Sequence, residues 1–405
     1  MNYRDKINKV KGAILSASDD SSLQEIIDSE KEAFEGIRML FSTDAAGAEL
    51  QVPLSHQDLF SGVFAKTKVL AYSNEIASEM KVRESVICYQ RRALFDTNLL
   101  SDLPKYFRGE DFTTKSKVEK ILDVVEHDYC GGFDFSFPML ENLREFTSVN
   151  NPYPVSKVSA AFYFDAKLQG NILESESENI FEPYLEKSEE LWKDYRASKE
   201  MWHTIDRRDL VYVVMLKTYH LCWSSDKITI EDGLRKLVDF CLDELGVLPL
   251  KELYFAWKVI IGFSVGYFTP VFDEKLLKKP KKKKSVERIG ALAWDLFIFR
   301  FTELLLTQGK YNSFYIPTIT TLDSGLLDTV HSCKVKAMIS FPEINFVETI
   351  FDDELHFQYC LDAAMTNKQK NTLSDSERNI KGNQKSRKNI SKATNDLEKL
   401  INQLT

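Results

Sequence analysis

The stretch Arg92-Ala-Leu-Phe-Asp-Thr-Asn-Leu-Leu-Ser101 constrains this chain more than any other. Its apolar residues make a short strand that ends in Asp96, and an apolar pair opens a helix after Thr97 and Asn98. A carboxylate at the carboxyl end of a strand, where the chain turns into a helix, sits where open α/β sheets bind ligands. The pattern returns near the other end of the protein. There an apolar strand over 315–319 runs into Thr321-Leu322-Asp323.

The chain has 405 residues, 43% hydrophobic and 28% charged, so its core is sizeable and either one elaborated domain or two are open. Cys88, Cys130, Cys222, Cys241, Cys333 and Cys360 are scattered without CxxC or Cys/His spacing. With no secretory signal at the N-terminus, they read as reduced thiols of a cytoplasmic protein, and no zinc site is visible. The most apolar long window, 253–272, is interrupted by Lys258, Gly262, Gly266 and Pro270, so it reads as buried helix and not as a membrane span.

The net charge of −8 is unevenly spread. Residues 273–284 carry +5 and residues 366–392 carry +6, leaving −19 for the rest. An acidic body with two basic segments binds nucleic acid only where those segments flank the site; otherwise they are solvated loops.

Periodicity predicts a mainly helical N-terminal region over 1–90. Ser21-Ser22 and Glu25 form a capped start, with Ile26, Ile27, Ala33, Ile37 and Leu40 at helical spacing, and a second helix spans 57–80. Residues 91–150 supply the strand before Asp96, an amphipathic helix over 116–128, a short strand at Phe133-Asp-Phe-Ser-Phe and a helix after Pro138 that carries Glu141. Residues 151–285 are helical, with pieces at 181–201, 207–223, 230–245 and 250–264, and end in a lysine-rich loop. Residues 286–365 hold a strong helix over 286–306, the strand at 315–319 and a strand at 335–340. A basic tail over 366–405 is expected to be disordered up to 391 and to close in a short amphipathic helix.

Four carboxylates fall where one site can be assembled: Asp96, Glu141, Asp295 on the helix over 286–306, and Asp323. Acids gathered from several elements repel one another unless a cation is bound. Mg²⁺ or Mn²⁺ suits such hard oxygen donors, and a metal-bound water can attack a phosphodiester. As single residues, Asp96 and Asp323 also serve as ordinary helix caps. Asp295, beside Trp294 and Leu296, is costly to bury unless paired. Glu145, Asp102, Glu303 and Asp328 are further acids within reach of such a cluster.

In their order these elements resemble the PIN-domain nucleases, though about ninety residues precede the first strand and a long stretch separates Glu141 from Asp295: Asp96-Thr97-Asn98 after a first strand, Glu141 in Met-Leu-Glu-Asn, Asp295 in Ala-Trp-Asp-Leu and Thr321-Leu322-Asp323 after a later strand. The resemblance covers roughly 88–150 and 286–340. It implies an α/β/α sandwich around a central, mainly parallel sheet, interrupted by a long helical insertion. It also implies metal-dependent cleavage of RNA, or less often of structured DNA, with Asp96, Glu141, Asp295 and Asp323 as ligands and Thr97, Asn98 and Thr321 orienting them. A stress or defence toxin is the role this analogy suggests, with a regulatory protein or a second copy as partner.

Lys278, Lys279, Lys281, Lys282, Lys283 and Lys284 precede the helix of Asp295, where they would contact backbone phosphates. Gly262-Phe-Ser264-Val-Gly266 matches a nucleophile-elbow pattern but lies in a helical run. His220 and the five tryptophans read as packed residues. The competing class is a catalytically inert helical adaptor.

Overall fold

The computed structural model describes residues 3–17, 20–44, 50–51, 57–73, 88–129, 132–146, 153–175, 178–265, 276, 284–307, 313–373 and 376–404. Helices α1 (Tyr3–Ser16), α2 (Asp20–Ser29) and α3 (Lys31–Phe34) open the chain. Strands β1 (Arg38–Thr43), β2 (Leu50–Gln51), β3 (Phe60–Gly62), β4 (Lys68–Ser73) and β5 (Cys88–Phe95) follow. Next come α4 (Thr97–Phe107), α5 (Lys115–Asp128), β6 (Phe133–Asp134), α6 (Ser136–Arg144), α7 (Tyr153–Leu168) and α8 (Leu185–Ala197). Helices α9 (Lys199–Ser224), α10 (Ile230–Asp239), α11 (Leu250–Val265) and α12 (Ser285–Thr307) precede β7 (Ser313–Thr320) and α13 (Ser324–Ser332). Strands β8 (Val335–Phe341) and β9 (Phe346–Phe351) lead into α14 (Glu354–Ala364), α15 (Asn367–Leu373) and α16 (Ser376–Gln403).

The chain divides into two compact units, one formed by Met1–His203, Phe301–Leu327 and Lys334–Phe351, the other by Thr204–Arg300, Asp328–Cys333 and Asp352–Thr405. The first unit holds both sheets. One has the order β2-β4-β1-β8-β9 with every pair antiparallel. The other has the order β3-β7-β5-β6, in which β5 runs parallel to β7 and β6 while β3 is antiparallel to β7.

This overturns the expected α/β/α sandwich. The protein is mostly helical, and three parallel strands are all that the described residues offer of a central parallel sheet. The discrepancy starts at the N-terminus, where Ile37 and Leu40 read as one face of a helix. Leu40 instead lies in β1, whose residues from Met39 to Thr43 are all buried. A strand buried on both faces loses the alternation that distinguishes it from a helix. The helix expected over 57–80 is replaced by β3, buried throughout, and β4, whose burial alternates, while 74–80 lies outside the described residues.

Two cores follow from the two sheets. On the antiparallel sheet, Val10, Ile14, Leu23, Ile27 and Phe34 from α1 to α3 pack with Met39, Phe41, Ala337, Ile339 and Ile350. On the mixed sheet, Phe95 stacks on Phe133 at 4.7 Å, and Leu99, Leu103, Ile121, Val125 and Phe164 complete the layer. That packing anchors β5 and fixes where α4 begins.

The second unit is helical, and its pieces match the predicted periodicity at 207–223, 230–245 and 250–264. The segment Phe240–Leu245 continues α10 as a π-helical stretch, and Gly246, at φ +76°, ends it in the left-handed region. Gly233 lets α10 approach α11: a Cβ there would lie 2.9 Å from Ile260 Cδ1. Over 366–391, where composition predicts disorder, the described residues carry α15 and most of α16. The terminal amphipathic helix is present, with Ala393, Leu397 and Ile401 buried.

Candidate functional site

Because β5 and β7 are adjacent and parallel, with Phe95 opposite Thr320, the two strand-end motifs meet at one edge of the mixed sheet. Asp96 caps α4: its Oδ1 accepts the Leu99 N–H at 2.7 Å. Its Oδ2 accepts the Thr321 hydroxyl. Thr321 Oγ1 in turn accepts the Asp323 N–H at 2.8 Å, and Asp323 Oδ1 accepts the Gly325 N–H at 2.8 Å at the start of α13. On the other side the Thr97 hydroxyl donates to Glu141 Oε2 on α6. Thr321 thus bridges the Asp96 carboxylate and the Asp323 backbone, and Thr97, the residue after Asp96, holds the Glu141 carboxylate. Thr321 is wholly buried, Glu141 and Thr97 are half-buried, and Asp323 and Asn98 are exposed.

Electrostatics follow from this placement. Asp96 is 5% exposed, and burial pushes its carboxyl up to about 7. The Thr321 and Leu99 donors pull it down, while the charges of Asp323 and Glu141 add to the rise. The acids are therefore near enough to repel one another.

Asp295 sits half-buried on α12, among residues of the second unit. Of the other acids, Asp102 accepts from Thr114 at 2.6 Å and pairs with Lys105 at 2.8 Å, and Glu303 accepts from Thr349 at 2.6 Å. Both have structural partners. Glu145 follows the last turn of α6, and Asp328 belongs to the second unit. Burial and the Lys217 charge lower the pKa of His220. Lys278, Lys279, Lys281, Lys282 and Lys283 lie outside the described residues, and Lys284 is exposed just before α12. Ser264 remains inside α11, its hydroxyl bonded to the Ile261 carbonyl at 3.3 Å, so no strand-to-helix elbow forms there. Cys222, Cys241 and Cys333 are free and buried, and Cys360 is free and half-buried.

Asp134 went unnoticed in the sequence. It ends β6, in register with Leu94 of β5, and accepts the Ser136 N–H at 2.8 Å. Burial raises its pKa, and Arg92, whose guanidinium lies 3.7 Å away and over the Tyr315 ring, opposes that rise. The alternation of Phe133-Asp-Phe-Ser-Phe revealed the strand. That the strand joins β5 in parallel, bringing a third acid towards the same edge, is a tertiary fact.

The donor set is chemically suited to a hard cation, being all oxygen, and each Asp96 oxygen keeps a lone pair beyond its one donor. The spacing is not that of a finished cage: among the described residues no three His, Cys, Asp or Glu side chains are grouped to hold a metal ion. Among the same residues no helix is long and apolar enough to cross a membrane. No family model, curated protein or solved structure matches the chain. The resemblance to PIN-domain nucleases therefore rests on the short motifs alone.

Proposed function

We propose that Asp96, Asp323 and Glu141 form a hard-cation site that serves hydrolysis of phosphodiester bonds, with RNA as substrate class. The observation that supports this reading most is the Thr321 hydroxyl, which ties the carboxylate ending β5 to the segment after β7 across more than two hundred residues. Mg²⁺ or Mn²⁺, when bound, supplies charge that offsets the mutual repulsion and acidifies a water. The protein's own residues do the positioning. Thr321 holds the Asp96 carboxyl and the Asp323 backbone in one relation, and Thr97 holds Glu141. Asp96 carries a proton below about pH 7 and becomes a full anionic donor above it.

The test is single-turnover cleavage of total RNA with Mn²⁺, with and without chelator, by the wild type and by Asp96→Asn, Asp323→Asn and Glu141→Gln. Cleavage that chelator abolishes and Asp96→Asn removes is expected. Chelator-resistant cleavage, or full activity in Asp96→Asn, overturns the assignment. A wild type that cleaves nothing leaves Asp96 and Asp323 as helix caps in an interaction scaffold.

A further inference from the structure

The C-terminal helix has two opposite faces. Ala393, Leu397 and Ile401, one turn apart, are buried, and Tyr212 of α9 donates to Glu398 at 2.8 Å, fixing how the helix is seated. Successive residues turn by about 100°. Lys388, Lys392 and Lys399, with Asn395 between them, therefore share a narrow stripe about 180° from the buried face. All four are exposed. Among the described residues none of the three lysines makes a hydrogen bond or ion pair. Asp396 stands at the margin of the stripe, and in the sequence Lys385 and Lys381 continue the same spacing.

We propose that this lysine ridge on α16 is a docking surface for the sugar–phosphate backbone of a nucleic acid. Charge complementarity carries the argument. Apart from Asp396 at its margin the ridge is basic, and among the described residues none of its three lysines is paired, on a protein whose net charge is −8. At a rise of about 1.5 Å per residue the three lysines span roughly 16 Å in a line, which suits a linear polyanion of regular period. An acidic protein surface has no such period. With its apolar face buried in the protein the helix cannot insert into a lipid surface, which leaves an anionic membrane only about 1 kcal/mol of attraction per lysine. The ridge offers no aromatic side chain and no planar donor, so it grips backbone without reading bases. This surface goes beyond the cleavage reading: binding there needs neither metal nor the acidic site.

The test is a salt titration of binding to a labelled single-stranded RNA of about 20 nucleotides, performed in chelator so that cleavage plays no part. Removing three phosphate contacts in Lys388→Gln/Lys392→Gln/Lys399→Gln lowers the slope of log affinity against log salt by about 2. If the two lines meet near 1 M, the affinity lost at about 0.1 M salt is roughly a hundredfold. The single Lys392→Gln lowers the slope by about 0.7 and guards against misfolding of the triple variant. A triple Lys→Arg variant retains the slope. The chelator keeps the acidic site out of the titration, which separates this surface from it. An unchanged slope in the glutamine variants overturns the proposal. So does loss of binding to phosphatidylserine vesicles with RNA binding intact.

Discussion

Asp96→Asn tests the electrostatics of the strand-end site without any substrate. The wild-type carboxyl, 5% exposed, has its pKa raised from 3.8 to about 7 in the folded chain. The native state therefore holds this proton more tightly than the unfolded state does. Its contribution to stability is full below about pH 4, is lost as pH rises towards about 7, and changes little beyond. At 1.36 kcal/mol per pH unit the whole loss is about 4 kcal/mol, of which about 2.5 kcal/mol falls between about pH 5 and pH 8. Asparagine never ionises. Its Oδ1 keeps the Leu99 N–H bond, but its amide replaces an acceptor facing Thr321, at a pH-independent cost of about 1–2 kcal/mol. The variant is thus expected to be less stable than wild type in acid and more stable at about pH 8. Urea denaturation of both proteins at several pH values, in chelator, measures the difference, from which other titrating groups cancel. Parallel stability curves across that range would refute the burial argument.

The same network makes further predictions. Thr321→Val leaves Asp96 Oδ2 without its donor and is expected to cost about 1–3 kcal/mol in urea melts, with the pH transition of Asp96 displaced upward. Mn²⁺ is expected to raise the melting temperature of the wild type and to raise that of Asp96→Asn less; equal shifts would place the cation elsewhere. Lys11 and Glu348 form a 2.7 Å pair with little exposure, so Glu348→Gln is expected to destabilise by about 3 kcal/mol, and replacing both with Met and Leu by much less, as chemical denaturation will show. Gly233→Ala puts a Cβ 2.9 Å from Ile260 Cδ1, a crowding cost of about 1–3 kcal/mol set against about 1 kcal/mol gained in helix propensity; Ile260→Val removes that atom, and a double-mutant cycle should show the crowding relieved.

The local chemistry of this protein is written in its sequence. Asp96 before Thr97-Asn98 and Asp323 after Thr321 are legible because a strand end, a cap and a helix start are decided within about five residues. The helices of 207–264 are legible because their buried faces repeat every turn, and the Gly246–Pro249 break because glycine there takes the left-handed region. Pairing is a different matter. β1 is buried on both faces and so shows no alternation, and only its partners β4 and β8 make it a strand. Asp295 lies on a helix whose residues divide between the two units, a division that spacing along the chain does not disclose. Asp134 shows the converse. Nothing around it marks a site, and the parallel register of β6 on β5 alone carries it towards the edge where Asp96 ends its strand. Local backbone and capping preferences act over one turn and can be read residue by residue; strand partners are chosen by long-range burial, which only the folded chain resolves.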